Sequence, residues 1–390
     1  MTGLFAAFRN ELRRIFGDRS VFSVMVLGSA FYALFYPQPY LNEALRNVPI
    51  AVVDRDGTQA SRDFARRIDA TSDVAVAQVL PDLASAEREV YARKVDGILV
   101  IPQYFERELL HGRSSPVALY ADASYFLIYQ RVAGAVAAVA RTVGAEIETR
   151  RLIGIGVDPA IAVAAPDPMP LTAVPLFNPE GGYATYVLPA AFVLLLQQML
   201  LMGVALLATS PDKNAAAIDP PAGPVATVAG KLLAYLALQA VILPVYLLVL
   251  PYLYGLPRLG SAIPILIFAI PFVLAVAGLG FVVAGVFRQP LRVQLILAAA
   301  GLPLFMAAGF SWPAEAIPPF IRLVSYLVPS TSAIDGFVKL SQLGAPLSAV
   351  KPDFIMLWCL ALVYNGFAVL LASGNMEPVP VATATTSPAA

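Results

Sequence analysis

Charge is what this 390-residue chain has least of: Asp, Glu, Lys and Arg make up 13% of it, against 58% hydrophobic residues. A water-soluble globular domain carries about 25% charged residues, so a chain this apolar needs an apolar medium around much of its surface. The charges present cancel, 26 basic against 26 acidic, and leave no basic excess to hold nucleic acid. Cysteine and histidine are nearly missing, with Cys359 in an apolar run and His111 far from it in sequence. One cysteine cannot form a disulfide within the chain, and one Cys with one His cannot make a Cys/His metal site.

Long apolar runs are abundant. The first, Val21 to Tyr36, has no charged side chain and follows Arg9, Arg13, Arg14 and Arg19. It reads as a first transmembrane helix, residues 20–37, entered from the cytoplasm. A cleaved secretory signal shares these ingredients, but Tyr36-Pro37-Gln38-Pro39-Tyr40 offers no small-x-small cleavage site, and membrane-length runs return later. Those runs are approximately 183–209, 229–254, 262–287, 292–312 and 353–373. The expected fold class is therefore an α-helical polytopic membrane protein with six transmembrane helices and an inserted α/β extracytoplasmic domain, residues 38–182. An even count places both termini in the cytoplasm. Arg288 and Arg292 fall on the expected cytoplasmic side and Arg258 opposes them.

Residues 1–19 precede the first span as an amphipathic interface helix, with Phe5, Phe8, Leu12, Ile15 and Phe16 spaced by three and four and arginines between them. In the inserted domain, Val48–Asp54, Val74–Leu80, Gly97–Ile101 and Val117–Tyr120 read as strands. Stretches 58–69, 82–94 and 102–111 have helical spacing, a βαβ-like alternation, and a long helix follows over 125–153. A connector rich in proline (Pro159, Pro166, Pro168, Pro170, Pro175, Pro179) leads back to the membrane. Between the fifth and sixth spans, Pro313, Pro318, Pro319 and Pro329 interrupt an apolar stretch, and a re-entrant segment near 313–337 fits it better than a plain loop. Residues 374–390 have the composition of a disordered tail.

Several motifs resemble chemistry without completing it. The run Ile50 to Thr58, with Asp54 and Asp56 after a strand, resembles the nucleophile motif of haloacid-dehalogenase-type phosphatases, which needs Mg²⁺, a downstream lysine and further carboxylates. Here Asp56 and Gly57 suit a turn, and Thr58 suits a helix cap. Gly230-Lys231 is followed by Leu232 and lacks the earlier glycine of a phosphate loop, so no nucleotide site forms there. Gly278, Gly280 and Gly285 lie inside an apolar run and indicate close helix packing. The expected spans hold no Asp, Glu, Lys or Arg away from their ends, whereas ion-coupled transporters need such groups in the membrane. Gln197, Gln198, Gln239, Gln294 and Asn365 are the polar positions that could line a translocation path, although interhelical hydrogen bonds are their commoner use.

The chain resembles an ABC-2-type exporter permease, in the subgroup with a large extracytoplasmic domain between the first and second spans. The carriers are the amphipathic N-terminal helix, "VPIAVVDRDGTQASRDFARRID", "DGILVIPQYFERELLHG", "GKLLAYLAL" at the third span and "GFSWPAEAIPPFIRLVSYLVPSTSAIDGF" before the last. The resemblance implies a permease subunit of an ATP-driven exporter in the bacterial inner membrane, paired with a second copy or paralogue. Each copy would rest on a cytoplasmic ABC ATPase that holds the ATP and Mg²⁺, with no cofactor on this chain. Some relatives also use a periplasmic adaptor, and membrane lipid surrounds them all.

The resemblance further implies coupling to the ATPase through the N-terminal helix (Phe5, Phe8, Arg9, Leu12, Arg13) and the first cytoplasmic loop (Asp212, Lys213, Asn214, Pro221). That loop departs from the family pattern: Pro221 is present, but "SPDKNAAAIDPPAGP" replaces the usual acid-Arg-Gly-Thr run. From another class, a membrane-anchored envelope binding or assembly factor without transport activity would share the same layout.

Overall fold

A computed structural model describes residues 2–41, 45–171, 174–178, 181–211, 223–310 and 316–374. The chain separates into two compact units, one formed by residues 42–175 and the other by the two flanking stretches. The expected boundaries were 38 and 182; the tail after residue 374 lies outside the described residues.

The inserted unit obeys the rules of a soluble α/β domain. Its elements are β1 (Val48–Asp54), α4 (Gln59–Asp69), β2 (Val74–Leu80), α5 (Leu83–Tyr91), β3 (Gly97–Ile101), α6 (Phe105–Leu110), β4 (Ala118–Ala121), α7 (Phe126–Gly154) and α8 (Pro159–Ala164). The sheet order is β2-β1-β3-β4, with β1 parallel to β2 and β3, and β4 antiparallel to β3. Side chains of successive residues in β1 point to opposite faces. Ile50 and Val52 join Phe64, Leu99, Phe105, Val132 and Val136 on one face, while Ala51 and Val53 join Ala86, Val95 and Ile98 on the other.

The flanking unit begins with α1 (Thr2–Gly17), then α2 (Arg19–Phe22) and α3 (Ser29–Phe35), joined through a π-helical stretch, Ser23–Gly28, into one apolar helix, Arg19–Tyr40. It continues with α9 (Tyr183–Thr209), then α10 (Pro224–Pro244) and α11 (Leu250–Leu253), again joined by a π-helical stretch, Val245–Val249. Pro244 lacks the backbone N–H that an α-helix would use, and the wider turn after it accommodates the loss. Then come α12 (Ala262–Phe287), α13 (Pro290–Ala307), α14 (Pro319–Ser325), α15 (Pro329–Ser341) and α16 (Lys351–Gly374).

Close approach sets how these helices sit. A Cβ on Gly203 of α9 would lie 2.1 Å from Cγ of Met25 in the first apolar helix, so the methionine occupies the space a side chain would need. A Cβ on Gly336 of α15 would lie 2.1 Å from the ring of Phe268 in α12. The segment expected to re-enter the membrane is thus represented by two short helices, of which α15 buries Ser330, Ala333, Ile334, Phe337 and Leu340. The start of the expected segment, Pro313 included, falls outside the described residues.

The span count departs from six. Seven helices among the described residues are long and apolar enough to cross a membrane: Arg19–Tyr40, Phe126–Gly154, Tyr183–Thr209, Pro224–Leu253, Ala262–Phe287, Pro290–Ala307 and Leu347–Ser373. The additional one is α7, whose Ala- and Val-rich first half raises its mean hydropathy to 1.2, the lowest of the set. Its Val132, Ala135 and Val136 pack into the sheet domain, and its second half carries Arg141, Glu146, Glu148, Arg150 and Arg151. Arg67 of α4 clamps Glu146 with two hydrogen bonds of 2.8 and 2.9 Å. Those bonds hold the Glu146 carboxyl below the usual glutamate range, so the clamp persists through that range and its contribution is lost as pH falls on through the lowered value.

The packing of α7 predicts that both its middle and its end meet water. In a Cys359→Ser background, cysteines replacing Arg141 and Arg150 should both react with a membrane-impermeant maleimide; protection at 141 with reaction at 150 would mean that the helix crosses the bilayer.

Candidate coupling site at the N-terminal helix

Glu11 is the one acid in residues 1–17, and it is completely buried. An isolated ionised carboxylate is costly to bury, so its partners decide whether the arrangement holds. The Tyr235 hydroxyl of α10 donates to one carboxylate oxygen at 2.6 Å. The Arg14 guanidinium donates to the other at 3.2 Å, and the Lys231 ammonium stands 3.9 Å from that second oxygen. Lys231 and Tyr235 are four residues apart and therefore share one face of α10.

Arg14 has a second task. Its other terminal nitrogen donates to the carbonyl of Leu207 at 2.8 Å and to that of Ser210 at 3.0 Å. These are carbonyls at the C-terminal end of α9, where the helix has no intrahelical donors left to offer and a cation is favoured. One helix, α1, therefore binds the end of α9 through Arg14 and the start of α10 through Glu11. Those are the two flanks of the loop between them. Gly230 permits the approach: a Cβ there would lie 2.6 Å from the Leu4 carbonyl oxygen and 2.7 Å from the Ala7 Cβ.

The contact face of α1 is rotated from the stripe expected. The buried row is Ala7, Glu11 and Ile15, an i, i+4, i+8 ridge, with Phe8 and Leu12 partly buried beside it against the main core. Phe5 and Phe16 are exposed, at 61% and 58%, and Phe5 stacks on Phe8. Arg9 and Arg13 are exposed on the opposite side. The basic face thus remains free of α10, while the apolar stripe divides between α10 and the surroundings. Asp212, Lys213, Asn214 and Pro221 lie outside the described residues.

The polar positions of the spans mostly join helices. Gln197 is buried and bonds Ser330 twice: its side-chain nitrogen donates to the hydroxyl at 3.0 Å, and its oxygen accepts from the Ser330 backbone N–H at 2.7 Å. Gln198 donates to the Leu297 carbonyl at 2.9 Å, and Asn365 to those of Leu274 and Ala361 at 3.0 and 2.7 Å. Gln239 is buried, and the side-chain oxygens of Gln239 and Asn365 have no hydrogen-bond partner among the described residues. Gln294 is exposed on α13 and joins none of these contacts among the described residues.

The Asp54–Thr58 turn is structural. One Asp54 oxygen accepts the backbone N–H groups of Asp56 and Gly57 at 3.0 and 2.9 Å, and the other accepts the Ser61 hydroxyl at 2.7 Å. Asp56 accepts from the Thr58 hydroxyl and from the Glu106 backbone N–H at 3.1 Å. Both carboxylates are committed to the turn and to the helices beside it.

A family model described as ABC-2 family transporter protein matches residues 19–370. The chain belongs to this family. As an ABC-2 transporter protein it is similar to the probable multidrug ABC transporter permease YbhS of Escherichia coli (strain K12), at 24% identity over 148 residues. That stretch is 38% of this chain and 39% of YbhS, so the chain spans well under half the length of that relative. It is also similar to the linearmycin resistance permease protein LnrN of Bacillus subtilis (strain 168), at 22% identity over 318 residues, covering 78% of this chain and 82% of LnrN. The residues that tie α1 to its neighbours, Glu11, Arg14, Lys231, Tyr235 and Gly230, were not singled out as a group from sequence. The readable signals were a lone acid three residues before an arginine, and a Lys and Tyr on one helical face.

Removing one member of this network should cost more than removing a hydrogen bond. Glu11→Ala leaves the buried Tyr235 hydroxyl without its acceptor and takes the anion from beside Arg14 and Lys231, and should destabilise by about 3–5 kcal/mol, whereas Tyr235→Phe should cost about 1.5–3 kcal/mol. Thermal unfolding of the purified protein, with the Glu11→Ala, Tyr235→Phe and double variants in one cycle, should give a coupling energy above about 0.5 kcal/mol; strict additivity would mean that the pair does not interact.

Proposed function

We propose that the chain is the transmembrane permease subunit of an ATP-driven exporter, moving substrate out of the cytoplasm or the inner leaflet with energy from a separate ATPase subunit. The observation that carries this reading is the double attachment of α1, to the end of α9 through Arg14 and to the start of α10 through Glu11, in a chain of the ABC-2 family. A push on α1 reaches two spans at once, because displacing it breaks charge-assisted hydrogen bonds at both. The exposed face with Arg9 and Arg13 is then the surface offered to the ATPase, which holds the ATP and Mg²⁺.

In this reading six of the seven candidate helices cross the bacterial inner membrane, and α7 stays with the inserted domain outside, since Val132, Ala135 and Val136 pack on the sheet and its second half is charged. Both termini are cytoplasmic, in keeping with the arginines before the first span. The helices α14 and α15 form a re-entrant hairpin in which α15 packs on α9, α12 and α16 while α14 meets α13. A second copy or a paralogue completes the pathway, and in a two-membrane envelope the external domain is the surface available to an adaptor. The unpartnered buried oxygens of Gln239 and Asn365 each cost about 1–3 kcal/mol as they stand. A second arrangement of the spans, or a passing polar group, would supply their donors.

Two measurements test the reading. With Cys359→Ser as background, a cysteine at Glu87 should label from outside with an impermeant maleimide, and one at Gln289 only after permeabilisation; the reverse pattern would invert the topology. Replacing Phe8 and Leu12 by Ser removes two partly buried side chains, worth at most about 1.5–3 kcal/mol each. That variant should insert normally yet fail to stimulate ATP hydrolysis by the co-expressed ATPase in proteoliposomes. Stimulation equal to that of the wild type would leave α1 a passive attachment.

A further inference from the structure

The ends of α9, α10, α12 and α16 frame an open cavity of about 340 Å³, and two cations, Lys231 and Arg288, line it. Its other walls are largely small side chains, including Ala208, Ala284, Gly285 and Ala372, which leave the space between the helix ends unfilled. Among the described residues no carboxylate lines it. We infer that this cavity is an anion site for a phosphate group, carried either by the headgroup of an anionic phospholipid or by a small soluble phosphate compound.

The argument rests on how the two cations are employed. Glu11 is the acid beside Lys231, but its oxygens already accept from Tyr235 at 2.6 Å and Arg14 at 3.2 Å, and Lys231 is the most distant of the three at 3.9 Å. An ammonium has three donors, so Lys231 can serve Glu11 and the cavity together. Arg288 ends α12 in the left-handed region, φ +53°, where glycine would be the unstrained residue. Its Nε donates to the Gly285 carbonyl at 3.2 Å, which holds the guanidinium against the last turn with further N–H groups to offer.

The blander account makes these cations mere partners of helix ends. Three helices, α9, α12 and α16, end at this cavity and one, α10, begins there. At roughly half a charge per terminus, the balance is about one negative charge, which offsets only one of the two cations. The α9 end is moreover already capped by Arg14. Among the described residues about one positive charge is left in a recess at the end of a helix bundle, the setting in which basic pockets take lipid headgroups.

Binding at this site does not depend on the transport reading, and its test uses neither ATPase nor export. Thermal unfolding of the purified full chain in neutral detergent is followed while dihexanoyl phosphatidylglycerol, dihexanoyl phosphatidylcholine or glycerol phosphate is added. Phosphatidylglycerol should raise the wild-type midpoint and phosphatidylcholine should not. Arg288→Gln and Lys231→Gln should each need at least tenfold more phosphatidylglycerol for the same shift, and Arg288→Lys should retain most of the response. A shift with glycerol phosphate as well identifies soluble phosphate as sufficient, and a shift with phosphatidylglycerol only identifies the lipid headgroup; both support the site. Equal responses to the two lipids, or unchanged responses in both glutamine variants, would overturn it. Should the variants misfold, the wild type decides alone: its phosphatidylglycerol shift must fade as sulfate is raised, and a shift insensitive to sulfate refutes an anion site.

Discussion

Inside a bilayer, apolar side chains gain little by leaving lipid for one another, so the placement of spans depends on how closely backbones approach and on a few polar side chains. That constraint runs through this molecule. Met25 fills the place beside Gly203 where a side chain would stand, and the Phe268 ring does the same beside Gly336. Gln197 reaches Ser330 through both ends of its amide, fixing α15 against α9 in a direction that no hydrophobic contact could specify.

The same logic at higher stakes governs α1. A completely buried glutamate is tolerable only while Tyr235, Arg14 and Lys231 stay near it. A buried ionic network often adds little net stability over an apolar replacement, yet losing one member is severe. Its value here is geometric. Because Arg14 also holds the α9 carbonyls, the helix cannot slide along α10 without releasing α9, and three elements keep one relative arrangement. Lys231 is where this network meets the neighbouring cavity, so an anion bound there would share the ammonium that steadies Glu11.

The inserted domain follows the opposite rules. Its sheet buries Ile50, Val52 and Leu99 on one side and Ala51, Val53 and Ile98 on the other. The alternation that marks these strands was legible in the sequence, as were the turn at Asp56-Gly57 and the cap at Thr58, because each is set by neighbours a few residues away. The helix α7 was harder. Its first half is apolar enough for a membrane, and its contact with Phe64, Ile68 and the strands accounts for the apolarity of one face.

The sequence by itself determined the multi-span membrane character, the location of five membrane-length apolar helices behind an inserted βαβ domain, and the residues that shape local turns, since length, period and capping are short-range properties. It also carried the family, which rests on the order of segments along the chain. Tertiary structure alone decided which face of α1 is buried, and so made Glu11 central and left Phe5 outside. It alone joined Gln197 to Ser330 across 133 positions of sequence, left Gln294 exposed, and brought Lys231 and Arg288 to one cavity. Helical periodicity tells which residues share a face; what that face meets depends on the packing of distant segments, which no local pattern contains.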